Sequence, residues 1–178
     1  MTKPKKPRTA RGQKIHFSTK SVLAANPSLN RIVSAHIAPD ADDQAKKGPA
    51  GIVYSLLQLF CTYDGFKIAG HVVVGSVATG FQTTYRDGKH TAMGYEWGTL
   101  ANGDHYLSRV EEEGGLKGTQ GSWKLVQGTG TLVGITGEAT YSINPLPGAT
   151  SVISALTGWY SLPKKKDSRP TRERKAKS

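Results

Sequence analysis

From Gly51 onward the chain is a succession of short runs rich in β-branched and aromatic residues, broken by Asp-Gly and Asn-Gly pairs. Three such pairs, Asp64-Gly65, Asp87-Gly88 and Asn102-Gly103, fall within about forty residues, with almost no helical periodicity between them. These dipeptides supply the positive backbone angles of a two-residue type I′ turn, whose twist matches paired antiparallel strands. The pattern predicts a meander with strands over 52–63, 66–77, 79–86, 89–99 and 104–112. Three more strands are expected over 122–127, 138–143 and 152–162, after the glycine-rich run 128–137 and the Pro147-Gly148 break. Eight short strands suit one closed barrel whose interior holds side chains or a small ligand. The expected fold is therefore all-β, a single antiparallel eight-stranded β-barrel.

Upstream the pattern is less decided. Residues 14–18 alternate like a short strand, 28–33 suit either a helical turn or a strand, and 40–48 read as a loop.

Two-residue turns also set register. A loop at Asn102-Gly103 places Trp97 opposite Ser108, Tyr95 opposite Val110 and Thr99 opposite Tyr106. It places Glu96 opposite Arg109 and Gly94 opposite Glu111 on the other face, and a charge pair across a ladder supports the register. A loop at Asp64-Gly65 sets Cys61 against Ile68 and Phe60 against Ala69. Both faces of that hairpin are apolar, which predicts cover on both sides, by the core and by another element or subunit.

Charge divides the chain differently. The formal net charge is +11, yet residues 15–163 carry ten basic and eleven acidic side chains. The excess lies in residues 1–14 and 164–178, proline-interrupted Lys/Arg runs with too few apolar residues to bury a core. Disordered basic tails over 1–20 and 164–178 are expected to flank a domain over 21–163, best defined over 51–163. Lys5, Lys6, Arg8, Arg11, Lys164, Lys165, Lys166, Arg172 and Arg174 are the candidates for weak, salt-dependent phosphate contacts to nucleic acid. Neither 1–14 nor 164–178 holds a Phe, Tyr or Trp for base stacking.

Other classes are disfavoured. No apolar run approaches the roughly 20 residues of a membrane-spanning helix, and the N-terminus lacks a secretory apolar segment. The expectation is a cytoplasmic protein. Cys61 is the single cysteine, expected as a small buried hydrophobe. The five histidines show no paired metal-ligand spacing, so no metal and no cofactor are expected. The glycines at 128, 130 and 134 lack the remaining positions of a dinucleotide or Walker loop.

The run Gly121-Ser122-Trp123-Lys124-Leu125-Val126-Gln127-Gly128-Thr129-Gly130-Thr131-Leu132-Val133-Gly134-Ile135-Thr136-Gly137-Glu138-Ala139-Thr140-Tyr141 resembles allene oxide cyclase and dirigent-type barrel proteins, including their uncharacterised bacterial relatives. Gly94-Tyr95-Glu96-Trp97 followed by Asn102-Gly103-Asp104 fits the same relatives. The resemblance, over residues 50–163, implies an eight-stranded barrel, often trimeric, with an apolar axial cavity. It also implies chemistry in which cavity shape steers the cyclisation or coupling of a reactive apolar intermediate. The catalytic residues of neither family map onto this chain.

Three readings of function follow. One is a barrel that binds a small apolar ligand in a cavity of several hundred Å³, with or without cyclase or isomerase activity. Its candidate catalytic group is Glu96, Arg109 and Glu111, and its candidate ligand-binding face is Met93, Tyr95, Trp97 and Tyr106. The Met93–Tyr95–Trp97 face is expected to be the core side. The second is a nucleic-acid- or ribosome-associated protein acting through its tails, and the third a structural homo-oligomer, a trimer or dimer.

Overall fold

The computed structural model describes residues 12–25, 31–33, 52–85, 87–115, 117–145 and 150–164. The strands are β1 (Ile15–Ala25), β2 (Arg31–Val33), β3 (Val53–Tyr63), β4 (Lys67–Ile68), β5 (His71–Thr84), β6 (His90–Leu100), β7 (His105–Gly115), β8 (Gly118–Gly128), β9 (Thr136–Pro145) and β10 (Thr150–Ser161). A single 3-10 turn, Gly130–Leu132, joins β8 to β9. Neighbouring strands pair in the order β3-β1-β10-β9-β8-β7-β6-β5, and β5 pairs back with β3, closing an antiparallel barrel of eight strands. β2 and β4 are short additions to β3 and β5. No helix among the described residues is long and apolar enough to cross a membrane.

Eight barrel strands were expected, but their membership differs. The barrel begins at Ile15, so residues 15–20 belong to β1, paired with β10, and not to a basic tail. The strands expected over 66–77 and 79–86 are divided differently: Lys67–Ile68 form β4, and the rest runs on as the single strand β5, His71–Thr84, bent by a bulge between Val73 and Gly75. Asp64-Gly65 closes no hairpin, because the Asp64 amide donates to the Lys20 carbonyl of β1 at 2.9 Å. The tight turn is instead Ala69-Gly70, with φ of 53° and 85°, which lets Ile68 pair with His71. Glycine takes that conformation without strain, whereas an alanine there is uncommon and gives no turn signal in sequence. Beyond it β5 lies along β3 with Cys61 opposite Ser76, not Ile68.

At Asn102-Gly103 the loop has three residues. Thr99 pairs with His105, the Leu100 amide donates to the Asp104 carbonyl, and Gly103 takes the left-handed φ of 86°. This is a turn closed by a glycine bulge, which carries one residue more than a type I′ loop. One extra residue moves every side chain of one strand to the other face relative to its partner. Trp97 therefore pairs with Leu107, Tyr95 with Arg109, Glu96 with Ser108 and Gly98 with Tyr106. The expected pairing of Glu96 with Arg109 is corrected accordingly.

Burial then fixes which face is inside. Along β6 the residues Glu96, Gly98 and Leu100 are buried, while Met93, Tyr95 and Trp97 are exposed. Along β7 Tyr106 and Ser108 are buried and Arg109 is exposed. One end of the barrel is plugged by Phe66, Ile68, Leu100, Leu132 and Ile135, all buried. The complete burial of Ile68, Leu100 or Leu132 contributes about 1.5–3 kcal/mol each relative to exposure. An aromatic cluster backs the plug, with the Phe17 and Phe66 ring centres 4.8 Å apart and the Phe17 and Trp123 centres 6.1 Å apart. At the opposite end the inward side chains of β3, β5, β6 and β7 are half-buried, among them Leu57, Ala78, Gln82, Ala92 and Glu112. Among the described residues the lumen is closed at one end and accessible at the other.

Candidate functional site in the barrel lumen

Adjacent strands β6 and β7 each turn one glutamate into the lumen, Glu96 in the closed half and Glu112 in the accessible half. Glu96 is 4% exposed and is surrounded by donors. Its Oε1 accepts from the Tyr106 hydroxyl at 2.7 Å and from the Tyr63 hydroxyl, and its Oε2 accepts from the Trp123 indole Nε1 at 3.0 Å. The Tyr63 hydroxyl also lies 3.3 Å from Ser76 Oγ. Burial, and next the charge of Glu96, push both phenols well above the ordinary tyrosine range, so they stay protonated donors. Three donors engage both oxygens of the carboxylate, which makes Glu96 the organiser of the closed half. Ser108, directly opposite it, buries its hydroxyl with no partner among the described residues.

Two glycines make room for this packing. The Tyr106 ring lies over Gly98, and the Tyr141 ring lies over Gly121, in each case where a Cβ would stand. Tyr141 is thereby aimed at Glu112, whose Oε1 accepts from its hydroxyl at 2.6 Å. Burial raises the Glu112 pKa, and the Tyr141 bond and the nearby His90 offset this only in part. The second Glu112 oxygen makes no hydrogen bond to the described residues. His90 Nε2 lies 3.0 Å from Thr119 Oγ1 near the accessible end. The Cys61 thiol is pushed up to about 12, chiefly by burial, and so is no nucleophile at neutral pH.

Besides a space of about 780 Å³ that it shares with Tyr54, Phe81, Ala92, Met93, Glu111, Gly121 and others, Glu112 lines two small voids. One, of about 30 Å³, is walled by Cys61, Tyr63, Glu96, Trp123, Tyr141 and aliphatic side chains. The other, of about 40 Å³, is walled by Leu57, Leu59, Ala78, Gly80, Ala92, Gly94 and Val110 among others. Each has room for a water molecule or a few heavy atoms. Tyr106, Trp123 and their neighbours fill the closed half, and the space of several hundred Å³ expected along the axis is found instead where Glu112, Ala92 and Gly121 meet the exposed Phe81, Met93, Glu111 and Glu113. Free space is concentrated beside Glu112, where the walls are alanine and glycine.

The sequence-derived site residues divide between two surfaces. Glu96 and Tyr106 meet inside. Arg109 and Glu111 form an ion pair on the outer wall, roughly half exposed. Met93, Tyr95 and Trp97 also face outward, at 54%, 53% and 47% exposure, so they line no lumen. With Phe60 and Phe81 they form an apolar outer surface across β3, β5 and β6, in rungs such as Phe60–Val77–Trp97 and Leu56–Phe81–Met93. Of the basic tail candidates, Lys164 is exposed beyond β10 and the others lie outside the described residues. Glu112, Tyr63, Trp123 and Tyr141 were not singled out from sequence. Within Glu111-Glu112-Glu113 only the ladder register separates the inward residue from its neighbours. Among the described residues no group of three or more His, Cys, Asp or Glu could hold a metal ion.

This arrangement defines a closed antiparallel barrel with a carboxyl group set into the wall of a one-ended lumen. Two solved structures similar to the chain are dirigent proteins, one of the two families that residues 121–141 resemble. The pterocarpan synthase dirigent protein GePTS1 has 11% identity and a TM-score of 0.49, covering 91% of this chain and 96% of that one. The pterocarpan synthase dirigent protein PsPTS1 has 11% identity and a TM-score of 0.47, covering 88% and 99%. No family model matches the chain, and no curated protein matches it.

Proposed function

We propose that the barrel binds a small, largely apolar molecule that enters at the accessible end and contacts Glu112. The observation that carries this reading is a carboxyl group, supported by Tyr141, beside free space in an otherwise aliphatic wall. Leu57, Leu59, Ala92 and Val110 supply apolar contact, and Glu112 supplies orientation. Burial raises the Glu112 pKa, which favours a carboxyl that can hold and pass on a proton, so the same site would serve a cyclisation or isomerisation of its ligand. Replacing Ala92 with tryptophan fills the space beside Glu112. Small apolar probes are expected to shift the NMR signals of Leu57 and Leu59 in the native barrel and not in A92W. Equal shifts in both proteins would place probe binding elsewhere and end this reading.

A second reading, self-association, is favoured by the outer surface of Phe60, Phe81, Met93, Tyr95 and Trp97. Sedimentation velocity is expected to find a dimer or trimer that dissociates in the double variant F81E/W97E. A native monomer at tens of micromolar would dispose of it. The alternative in which the basic termini bind phosphate rests on residues outside those described, Lys164 excepted.

A further inference from the structure

We propose that the lumen selects a ligand with a cationic head, a small primary amine, over a neutral or anionic ligand of the same size. The inference rests on the lumen reading above and adds the charge class of the ligand. Glu96 and Glu112 both face into the lumen, and both line the same void. Every lysine and arginine whose side chain is described lies on the outside, Arg109 in its ion pair with Glu111 among them. An incoming carboxylate or phosphate would meet two carboxyl groups with no lysine or arginine among the described side chains to offset them. His90, whose charge acts on Glu112, is engaged with Thr119.

The two glutamates differ in what they have left to offer. Glu96 already accepts from Tyr63, Tyr106 and Trp123. Among the described residues Glu112 accepts from Tyr141 alone, which leaves its second oxygen uncommitted there. An ammonium group carries three donors and no acceptor, which suits that oxygen, whereas a carboxylate ligand carries acceptors only. Tyr63, Trp123 and Tyr141 share the wall of the void with Glu112 and supply aromatic surface of the kind that favours cations. The aliphatic walls of Leu57, Leu59 and Val110 would take the hydrocarbon end.

The test uses three probes of one size with the full-length chain: butylamine, butanol and butyrate, titrated by NMR on the lumen methyl groups. Butylamine is expected to bind at least ten-fold more tightly than butanol, and butyrate more weakly than both. E112Q should lower butylamine to the affinity of butanol, while E111Q, altering the neighbouring carboxylate on the outer wall, should keep the preference. If E112Q does not fold, Glu112→Asp, which draws the carboxylate back by one methylene, should weaken butylamine at least three-fold. Butanol or butyrate binding as tightly as butylamine, or a preference that survives E112Q, overturns the inference. Butanol binding that A92W blocks, with no preference for the amine, would remove the charge selectivity and leave the lumen reading standing. Failure of all three probes to bind would remove both.

Discussion

Glu96→Leu is expected to destabilise the barrel by about 3–6 kcal/mol, because three buried donors lose one acceptor together. The Tyr63 and Tyr106 hydroxyls and the Trp123 indole all end on this carboxylate. Each orphaned donor costs about 1–3 kcal/mol when water cannot replace the partner. Against this stands relief of the desolvation cost of a buried carboxylate, for which no lysine or arginine among the described side chains lies inside. The donors should dominate, since Trp123 and Tyr106 are each only 1% exposed and cannot turn to solvent without leaving the core. Small domains are stable by roughly 5–15 kcal/mol, so the variant would be near its unfolding threshold. Glu96→Gln should cost less, because the amide keeps one acceptor while pointing its NH₂ at a donor. Urea unfolding followed by tryptophan fluorescence measures both. A midpoint for E96L within about 1 kcal/mol of native would show that the three donors find other partners.

This dependence on one residue explains which parts of the structure are legible in sequence. The barrel itself is legible because alternation and turn-forming dipeptides are local properties, and each strand announces itself. The interior is not, because orientation depends on the length of each loop. Asn102-Gly103 serves equally as a two-residue turn and as the last two positions of a three-residue loop. Only the hydrogen bond from Leu100 to Asp104 separates the two. That single residue decides whether Trp97 or Glu96 faces inward. The opposite-charge pairing of Glu96 and Arg109 was a misleading check, since Arg109 finds Glu111 two residues along its own strand. Hydrophobicity misled in the same direction. Met93, Tyr95 and Trp97 have the composition of a core face, yet the core side of β6 is His90, Ala92, Gly94, Glu96, Gly98 and Leu100. Among its small residues Gly98 leaves the place that the Tyr106 ring occupies, while Ala92 and Gly94 border the free space beside Glu112.

The pairing of Gly98 with Tyr106 turns that explanation into a measurement. Gly98→Ala is expected to cost about 2–4 kcal/mol, although alanine adds only one methyl group. The added Cβ would stand where the Tyr106 ring lies, and Gly98 is directly opposite Tyr106 across the ladder. The ring would have to leave its place, breaking its 2.7 Å bond to Glu96 and its edge-on contact with Trp123 at 5.8 Å. The cause is therefore the neighbour and not the glycine backbone, because Gly98 is not among the glycines with positive φ. The two explanations are separable. With Tyr106→Ala already made, the ring is gone, and adding G98A should cost under about 1 kcal/mol, since a strand interior tolerates alanine at least as well as glycine. A double-mutant cycle should then return a coupling of about 2 kcal/mol or more between positions 98 and 106. Additive costs would mean that Gly98 is needed for backbone reasons, and that the Tyr106–Glu96 bond is not held in place by the space Gly98 leaves.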